Sequence, residues 1–461
     1  MNIFRTKSID AYQGDAAKTK LSRSLGSLDV ILLGVGVIVG TGIFVLTGVA
    51  AARYAGPALM LSFVIASITC AFVSLAYSEL SAMVPVAGSS YAYAYASVGE
   101  FIAWLVGWNL ILEYTVGASA VAGGWSAYVV GVLKSAGIEL SKTWTTVPAD
   151  GGIVNLPAVL ITLFLTYLLV MGIRESTRLN KILVGVKLFA IFIFLFLAGP
   201  KVDVMNWEPF MPFGFAGVSA GSAFIFFAYL GFDAISTAAE ETKNPSRDMP
   251  IGIIGSLAVC TVLYIAVTAV MTGNVPYGQL DNAEPVAYVL RSLGYNFGSA
   301  LVGTGAIAGL TTVLLVMIYA QTRAFFSMSR DGLIPESICK IHPRYATPHR
   351  ITIIVGVAVA LISGFTPIHI VAEMCSIGTL FAFIVSSIGV MILRHKYPDA
   401  KRPFRCPWLR TIASLAVITC IYVMYNLSAM TWERFFIWSI LGCVLYFAYG
   451  YSHSGLQGKK E

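Results

Sequence analysis

Charged residues are scarce in this chain. Asp, Glu, Lys and Arg make up 11% of its 461 residues, whereas a soluble globular protein carries about 25%. The five histidines lie in loops or at the ends of apolar segments, and the seven cysteines include no Cys-x-x-Cys pair. The composition therefore argues against a soluble domain. The sequence predicts neither a metal centre nor a catalytic constellation, and we interpret the cysteines as small packing residues.

The chain is instead rich in long apolar segments. Hydrophobic residues make up 57% of it, and apolar segments recur from end to end, nearly all of them 18 or more residues long and so able to cross about 30 Å of hydrocarbon. The sequence therefore predicts an all-α polytopic membrane protein with about twelve transmembrane helices and no soluble domain. The predicted spans 1–12 are 27–53, 57–82, 98–132, 153–172, 180–199, 216–240, 250–272, 284–328, 351–366, 368–393, 407–428 and 434–452.

The basic residues are distributed unevenly between the two ends of these spans. If the N-terminal segment 1–26 is cytoplasmic, 22 of the 30 lysines and arginines lie on that side and six on the other. The positive-inside rule then places both termini, including the tail 453–461, in the cytoplasm. We expect a multi-pass protein of the cell (plasma) membrane. The net charge of +7 reflects this topology and indicates no nucleic-acid partner. Lys187 and Arg323 are assigned to neither side, because they fall within or at the edge of spans.

Span 1 is weakened at its centre by glycines. The stretch GVGVIVGTGIFV at 34–45 contains four of them, and Gly36 and Gly40 form a G-x-x-x-G helix-packing motif. Alternatively, the glycines mark a break in the helix of span 1. Span 6, the first of the second five spans, carries Gly231 and Asp233 near its middle. Interruptions at matching places predict inverted repeats with a central site, here 27–199 and 216–393, followed by two additional spans at 407–452.

A break in both spans predicts the chemistry of the ligand. The free N–H groups of Thr41, Gly42 and Ile43 would lie at the positive end of a helix dipole, which suits a carboxylate. The free carbonyl groups of Phe227 and Ala228 would suit an ammonium group. A molecule with both groups on one carbon is an α-amino acid.

Glycine at positions 40 and 42 would let such a ligand approach the backbone. We therefore expect Gly42→Leu to block ligand binding. We also expect that variant to fold, because lipid tolerates extra apolar surface.

Several motifs resemble those of one transporter superfamily, and they run in order over most of the chain. They are GVGVIVGTGIF in span 1, YSELSAMVPVAGSSYAYAY at 77–95, AAEETKNPSRDMPIGI at 238–253 and AFFSMSRDGLIP at 324–335. The chain resembles the amino acid–polyamine–organocation (APC) superfamily and, within it, bacterial relatives of the cationic amino acid transporter family. The resemblance implies a LeuT-type fold of 5+5 inverted repeats plus two spans, with substrate held by discontinuous spans 1 and 6. The implied substrate-binding residues are Ile38, Gly40, Thr41, Gly42, Ile43, Phe227, Ala228, Leu230 and Met317.

Lys187, in span 5, has two interpretations. Its side chain reaches the membrane surface by snorkelling, or its desolvated amine titrates and pairs with unwound carbonyl groups of span 1. The resemblance favours the second, because a span-5 lysine in this superfamily occupies the place of sodium in sodium-coupled members. It implies protons rather than sodium as the coupling ion, with no other cofactor.

Three further residues carry open alternatives. Glu113 in span 3 is a proton carrier or a buried hydrogen-bonding group. Asp233 stabilises the N-terminus of the second half of span 6, takes part in coupling, or does both. Met317 in span 8 packs against lipid or core, or lines the pocket as the resemblance implies.

These features favour a secondary active transporter that imports L-amino acids by proton symport. The alternatives are an exchanger or facilitator without proton drive, with a possible preference for cationic amino acids, and then a channel or sensor of the same architecture. We expect no enzymatic activity. The expected partners are an L-amino acid and membrane lipid, and protein partners are left open.

Overall fold

The computed structural model describes residues 3–7, 25–83, 89–172, 177–231, 235, 242–345, 347–400, 402 and 404–456, and its regular secondary structure is helical. Within these residues there is no β-strand, only an isolated bridge between Leu25 and Thr242. The helices follow the predicted spans in chain order, so we number them α1–α12 after those spans.

Helix α1 has two halves. The first is Ser27–Ile38, and the second combines the π-turns Gly42–Leu46 and Ala51–Ala55 with the α-helical turn Thr47–Ala50. Helix α6 begins as Gly214–Ile225 and continues as a 3₁₀ turn, Phe226–Tyr229. The others are α2 Leu59–Met83, α3 Glu100–Ser135, α4 Leu156–Val170, α5 Thr177–Ala198, α7 Pro245–Asn274, α8 Asn296–Arg330, α9 His349–Phe365, α10 Ile368–Lys396, α11 Leu409–Tyr425 and α12 Ala429–Leu445.

Length and hydropathy mark this chain as a membrane protein. Among the described residues, seven helices are long and apolar enough to cross a membrane, and five more apolar helices are shorter. Large apolar side chains such as Phe189, Phe196 and Phe297 are exposed on the outer surface, where lipid rather than water suits them. The prediction of an all-helical polytopic membrane protein is confirmed, whereas the twelve crossings and the repeat boundaries stay predictions.

The structure corrects the prediction for span 8. The segment 284–328 was expected to be one helix, but it contains a short helix, Pro285–Ser292, and the separate helix α8. Pro285 opens the short helix, a position where its missing N–H costs nothing. Gly294 closes it at φ +84°, while Tyr295 N donates to Leu290 O at 2.9 Å, the pattern of a Schellman motif.

The aromatic repeat YAYAYASVG at 91–99 has a composition that would suit an interfacial belt or a short amphipathic segment, but its tyrosines do not lie at an interface. Its residues form the short helix Ser89–Ser97, and Tyr91, Tyr93 and Tyr95 are each 1% exposed. Tyr91 donates a hydrogen bond to Asp331 and Tyr95 to Glu100. These tyrosines are therefore part of the protein interior.

Packing brings the two interrupted helices together inside the bundle. Helix α3 packs against α8 and α10, α7 packs against the first half of α1 and against α2, and α8 packs against α5. The 3₁₀ turn that ends the first part of α6 contacts the second half of α1. The neighbours α5, α7 and α8 thus supply the side chains that reach the breaks.

The described parts of the two termini lie at one end of the bundle. Lys7 Nζ forms an ion pair with Asp331, just beyond α8, at 3.0 Å, and Gly455 N donates to Asp331 O at 2.9 Å. A shared side for both termini agrees with the charge distribution. That this side is cytoplasmic stays a prediction.

Candidate substrate site

Helix α1 is interrupted at Val39 and Gly40. Val39 is extended, with φ −73° and ψ 98°, and Phe44 N donates to Gly40 O at 3.2 Å as the second half begins. The N–H groups of Thr41, Gly42 and Ile43 precede this bond, as they do in the first turn of any helix. The Thr41 hydroxyl is buried and has no hydrogen-bond partner among the described residues. This terminus can therefore receive a carboxylate.

Helix α6 is interrupted at Leu230 and Gly231. Leu230 has ψ 143°, and Gly231 has φ +99°, a conformation that side chains rarely adopt. A Cβ at position 231 would also overlap the side chain of Val37. Glycine is therefore required here for two reasons, backbone conformation and the close approach of α1. Leu230 itself is buried.

Gly42 and Ala228 bring the two broken helices into direct contact. A Cβ at position 42 would overlap both the Cα and the Cβ of Ala228. The expectation that Gly42→Leu folds normally because its side chain enters lipid is therefore wrong, since this position faces backbone. Gly40 is less constrained, because a Cβ there would lie 3.1 Å from Val313 on α8.

Tyr264 on α7 connects the two breaks, and the sequence analysis missed it. The fully buried hydroxyl group lies 2.9 Å from Ile38 O at the end of the first half of α1 and 2.6 Å from Ala228 O on α6. One hydroxyl hydrogen is thus within reach of two carbonyl groups. Tyr264 is one of several hydroxyl-bearing residues in α7, with Thr261 and Thr268 nearby in the sequence, and no spacing rule singles it out or ties it to the breaks.

Lys187 reaches the break in α1 from the other side. Its Nζ donates to Gly36 O at 2.7 Å and to Val39 O at 3.3 Å, and the residue is 1% exposed. The snorkelling interpretation is therefore wrong for this structure. The hydrogen bonds required by the other interpretation are present, while titration of the amine stays a prediction.

Gly309 on α8 makes room for the Lys187 side chain. A Cβ at position 309 would lie 2.8, 3.0 and 3.1 Å from the Cγ, Cδ and Cε atoms of Lys187. On the opposite side, a Cβ at Gly36 would lie 2.5 Å from Val184, one helical turn before the lysine. These glycines therefore place α5 close enough to α1 and α8 for the amine to reach the carbonyl groups.

Glu113 and Met317 lie apart from Lys187, where α3, α8 and α10 meet. Glu113 is 2% exposed, and its carbonyl oxygen accepts a hydrogen bond from Cys375 Sγ on α10. One turn further along α3, a Cβ at Gly117 would lie 3.2 Å from Cys375 Sγ and 3.4 Å from Met317 Sδ. Met317 in turn follows Val313, the neighbour of Gly40, by one turn of α8. The roles of Glu113 and Met317 stay predictions.

The remaining predicted site residues add little to this geometry. Phe227 is buried, and its carbonyl accepts the Leu230 N–H at 3.0 Å, so that oxygen already has one local donor. Asp233 lies outside the described residues. Among the described residues, no group of three or more His, Cys, Asp or Glu side chains is placed to hold a metal ion.

Comparison with known proteins assigns this chain to a family. The family profile described as Amino acid permease matches residues 25–448, which include both breaks, Tyr264 and Lys187. The chain belongs to the amino acid permease family. The resemblance to the APC superfamily is thereby confirmed, and the permease is a transport protein rather than an enzyme.

Two bacterial relatives match this permease almost from end to end, and a plant relative matches most of it. The Branched-chain amino acid permease BcaP of Bacillus subtilis (strain 168) is 46% identical over 99% of both chains. The Methylthioribose transporter of the same organism is 44% identical over 99% of both. The Cationic amino acid transporter 4, vacuolar, of Arabidopsis thaliana is 37% identical over 86% of this chain and 68% of its own.

Proposed function

We propose that this permease imports L-amino acids across the plasma membrane by proton symport, with both termini in the cytoplasm. The substrate binds between the breaks of α1 and α6 in a LeuT-type arrangement of two five-helix repeats, followed by α11 and α12. Protons rather than sodium are the coupling ion in this proposal. Family membership and the polar ends of the two broken helices support it.

One observation carries the choice of substrate. Ile38 O and Ala228 O lie close enough together to share the hydroxyl group of Tyr264. An ammonium group has three hydrogens and can donate to both carbonyl groups at once, which one hydroxyl hydrogen cannot do. The N–H groups of Thr41, Gly42 and Ile43 follow a few residues beyond Ile38 and suit the carboxylate of the same molecule.

The hydrogen bonds of Lys187 suggest how protons and substrate are linked. Lys187 donates to Gly36 O and Val39 O, while Tyr264 donates to Ile38 O between them. The amine and the substrate site thus share one end of the first half of α1. Loss of the proton leaves the amine with fewer hydrogens and no charge to hold these carbonyl groups, so the end of α1 is freer to move. Substrate release and deprotonation are coupled through this movement.

Counterflow in proteoliposomes tests the proposal. Vesicles preloaded with one amino acid are challenged with the twenty amino acids, with and without an inward proton gradient and with and without sodium. We expect saturable counterflow, accumulation that requires the proton gradient, and no need for sodium. Counterflow that a proton gradient never drives uphill would instead support the exchanger or facilitator.

Methylthioribose belongs in the same panel because one relative is named for its transport. This thioether sugar has neither an ammonium nor a carboxylate group to satisfy the two breaks. We therefore expect it to compete poorly with a neutral amino acid. If it competed as well as alanine, recognition would not depend on these two charged groups.

The first prediction concerns selectivity. Glu113 is better explained by proton coupling, and the other described site residues carry no carboxylate to pair with a cationic side chain, so we expect small or medium neutral amino acids to compete best. Met317→Ser removes most of a long side chain, and should let arginine or lysine compete while leaving alanine transport largely intact. Competition by alanine, leucine, arginine and lysine in counterflow measures this effect. Identical profiles for parent and variant would show that Met317 does not line the pocket.

The second prediction concerns Tyr264. Tyr264→Phe keeps the ring but removes the donor to Ile38 O and Ala228 O, so two buried carbonyl groups lose a hydrogen bond worth about 1 kcal/mol. We expect a modest drop in thermal stability without ligand, and a larger stabilisation by saturating alanine than in the parent, because the ammonium then supplies the missing donor. Thermal unfolding with and without alanine measures both. An unchanged ligand-induced shift would place the ammonium elsewhere.

A further inference from the structure

Arg323 is a charge that the transport site does not use. It lies on α8 seven residues before Arg330, where the helix ends, and is thus about 10 Å from that end along the axis. Its side chain is exposed, with Gln321 and Thr322 before it in the sequence and the apolar Ala324, Phe325 and Phe326 after it. This close to the end of a long helix, an arginine side chain can reach the membrane surface, where lipid headgroups lie.

The local contacts of Arg323 leave most of its guanidinium group available. Nε donates to the Tyr319 hydroxyl at 3.0 Å, and the group lies over the Tyr319 ring, 5.1 Å from its centroid. Among the described residues, no carboxylate lies within ion-pair distance of Arg323. The Nη atoms and the hydroxyl hydrogen of Tyr319 are therefore free to donate to an external group.

These donors border an open cavity between α4, α8, α9 and the connection from α8 to α9. Its enclosed volume is small, about 70 Å³, so a larger ligand would lie along its open side. Leu169, Phe326 and Ile341 give it an apolar wall, while Thr322, Thr347 and Thr352 contribute hydroxyl groups. Those hydroxyl groups donate to the backbone carbonyls of Tyr319, Val170 and Pro348. Arg323 thus supplies the charge of the cavity, and the wall supplies apolar surface.

The surroundings favour an anion. In and just after the connection between α8 and α9, the basic residues Lys340, Arg344 and Arg350 are exposed, against one exposed carboxylate, Glu336. Asp331 is buried in its ion pair with Lys7. A planar guanidinium group suits phosphate oxygens, and an adjacent apolar wall suits an acyl chain. Basic pockets between membrane helices on the cytoplasmic side are typical sites for anionic lipid headgroups.

We infer that this cavity binds one anionic phospholipid, with the phosphate at Arg323 and Tyr319 and an acyl chain along the apolar wall. The site is separate from the proposed substrate site and does not depend on the identity of the transported molecule. It places a lipid against α4, α8 and α9 at the end of the bundle that also holds both termini.

Native mass spectrometry of the full chain in a neutral detergent tests the inference. The probes are palmitoyl-oleoyl phosphatidylglycerol and palmitoyl-oleoyl phosphatidylcholine, which share acyl chains and differ in net charge. We expect the parent to retain one phosphatidylglycerol more tightly than phosphatidylcholine. Arg323→Gln should weaken that binding about fivefold, the effect of one charge near the membrane surface.

Two further variants separate the cavity from general electrostatics and from misfolding. Arg410→Gln removes an exposed arginine at the start of α11, away from the cavity, and should bind phosphatidylglycerol as the parent does. Arg323→Lys keeps the charge without the planar group and should bind with intermediate affinity. Equal binding of both lipids by the parent, unchanged binding by Arg323→Gln, or an equal loss in Arg410→Gln would each overturn the inference.

Discussion

Replacing Lys187 with alanine is expected to abolish amino acid uptake driven by an inward proton gradient. The amine that donates to Gly36 O and Val39 O disappears, and with it the proposed proton carrier. Lys187→Arg is expected to fail as well, because arginine stays charged at any relevant pH and its planar group does not replace a compact amine. Gradient-driven accumulation of labelled alanine in proteoliposomes, with sodium absent, measures both.

The control for this experiment is Lys201→Ala. Lys201 is an exposed lysine just after α5, so its loss removes the same charge from the same part of the chain without touching α1. This variant should accumulate substrate as the parent does. Full uptake by Lys187→Arg, or strict dependence of the parent on sodium, would refute proton coupling through this residue.

Gly309 extends the same test to a residue that carries no charge. A Cβ at that position would lie within 3.1 Å of three carbon atoms of the Lys187 side chain, so in Gly309→Ala either the lysine or α8 must shift, and we expect the hydrogen bonds of the amine at the break to weaken. Uptake driven by protons should fall while Lys187 itself is intact. Gly185→Ala is the matched control, because a Cβ on that exposed glycine of α5 meets no atom within 4 Å.

The sequence predicted the helical architecture well because lipid imposes long apolar runs on any helix that crosses it. It also located the break of α1 within the stretch 34–45, since the glycines of span 1 weaken the helix there. The sequence-based prediction failed for span 8, where an apolar run contains residues that mark a helix boundary. Span 8 was read as continuous because its flanks are apolar, although Pro285 and Gly294 mark a short separate helix.

The candidate site was predictable only where the backbone provides it. The free N–H groups of Thr41, Gly42 and Ile43 follow from a break in one helix, and such a break depends only on residues that are neighbours in the sequence. Tyr264 and Gly309 contact the site from α7 and α8, and their relation to α1 depends on packing between distant segments. Periodicity within one helix carries no information on that packing. Lys187 was selected by its charge, and its pairing with carbonyl groups of span 1 was one of two interpretations, the one that the resemblance favoured.

Gly42 also shows that the sequence does not reveal packing between distant segments. The sequence indicated a close approach at this position, and the predicted neighbour was a ligand. The structure places Ala228 there instead, so that the Cα of Gly42 and the backbone of α6 are in contact. Both uses are compatible, because the N–H of residue 42 points along the helix axis toward the break while its absent side chain would point toward α6.

Substituting Gly42 with leucine is therefore expected to disrupt the helix pair itself and not just ligand binding. Overpacking of a close contact costs about 1–3 kcal/mol when neighbours can shift, and here the neighbour is the backbone of Ala228, which shifts less easily than a side chain. We expect Gly42→Leu to lower the unfolding temperature and to lose alanine binding, and Gly42→Ala to do both to a smaller extent. Thermal unfolding and alanine-induced stabilisation of the purified variants measure the two effects. Gly185→Leu, the same change at a position open to lipid, should match the parent in both. A Gly42→Leu protein with normal stability and normal alanine binding would mean that α1 and α6 do not meet at Ala228, and the substrate site proposed between them would then be wrong.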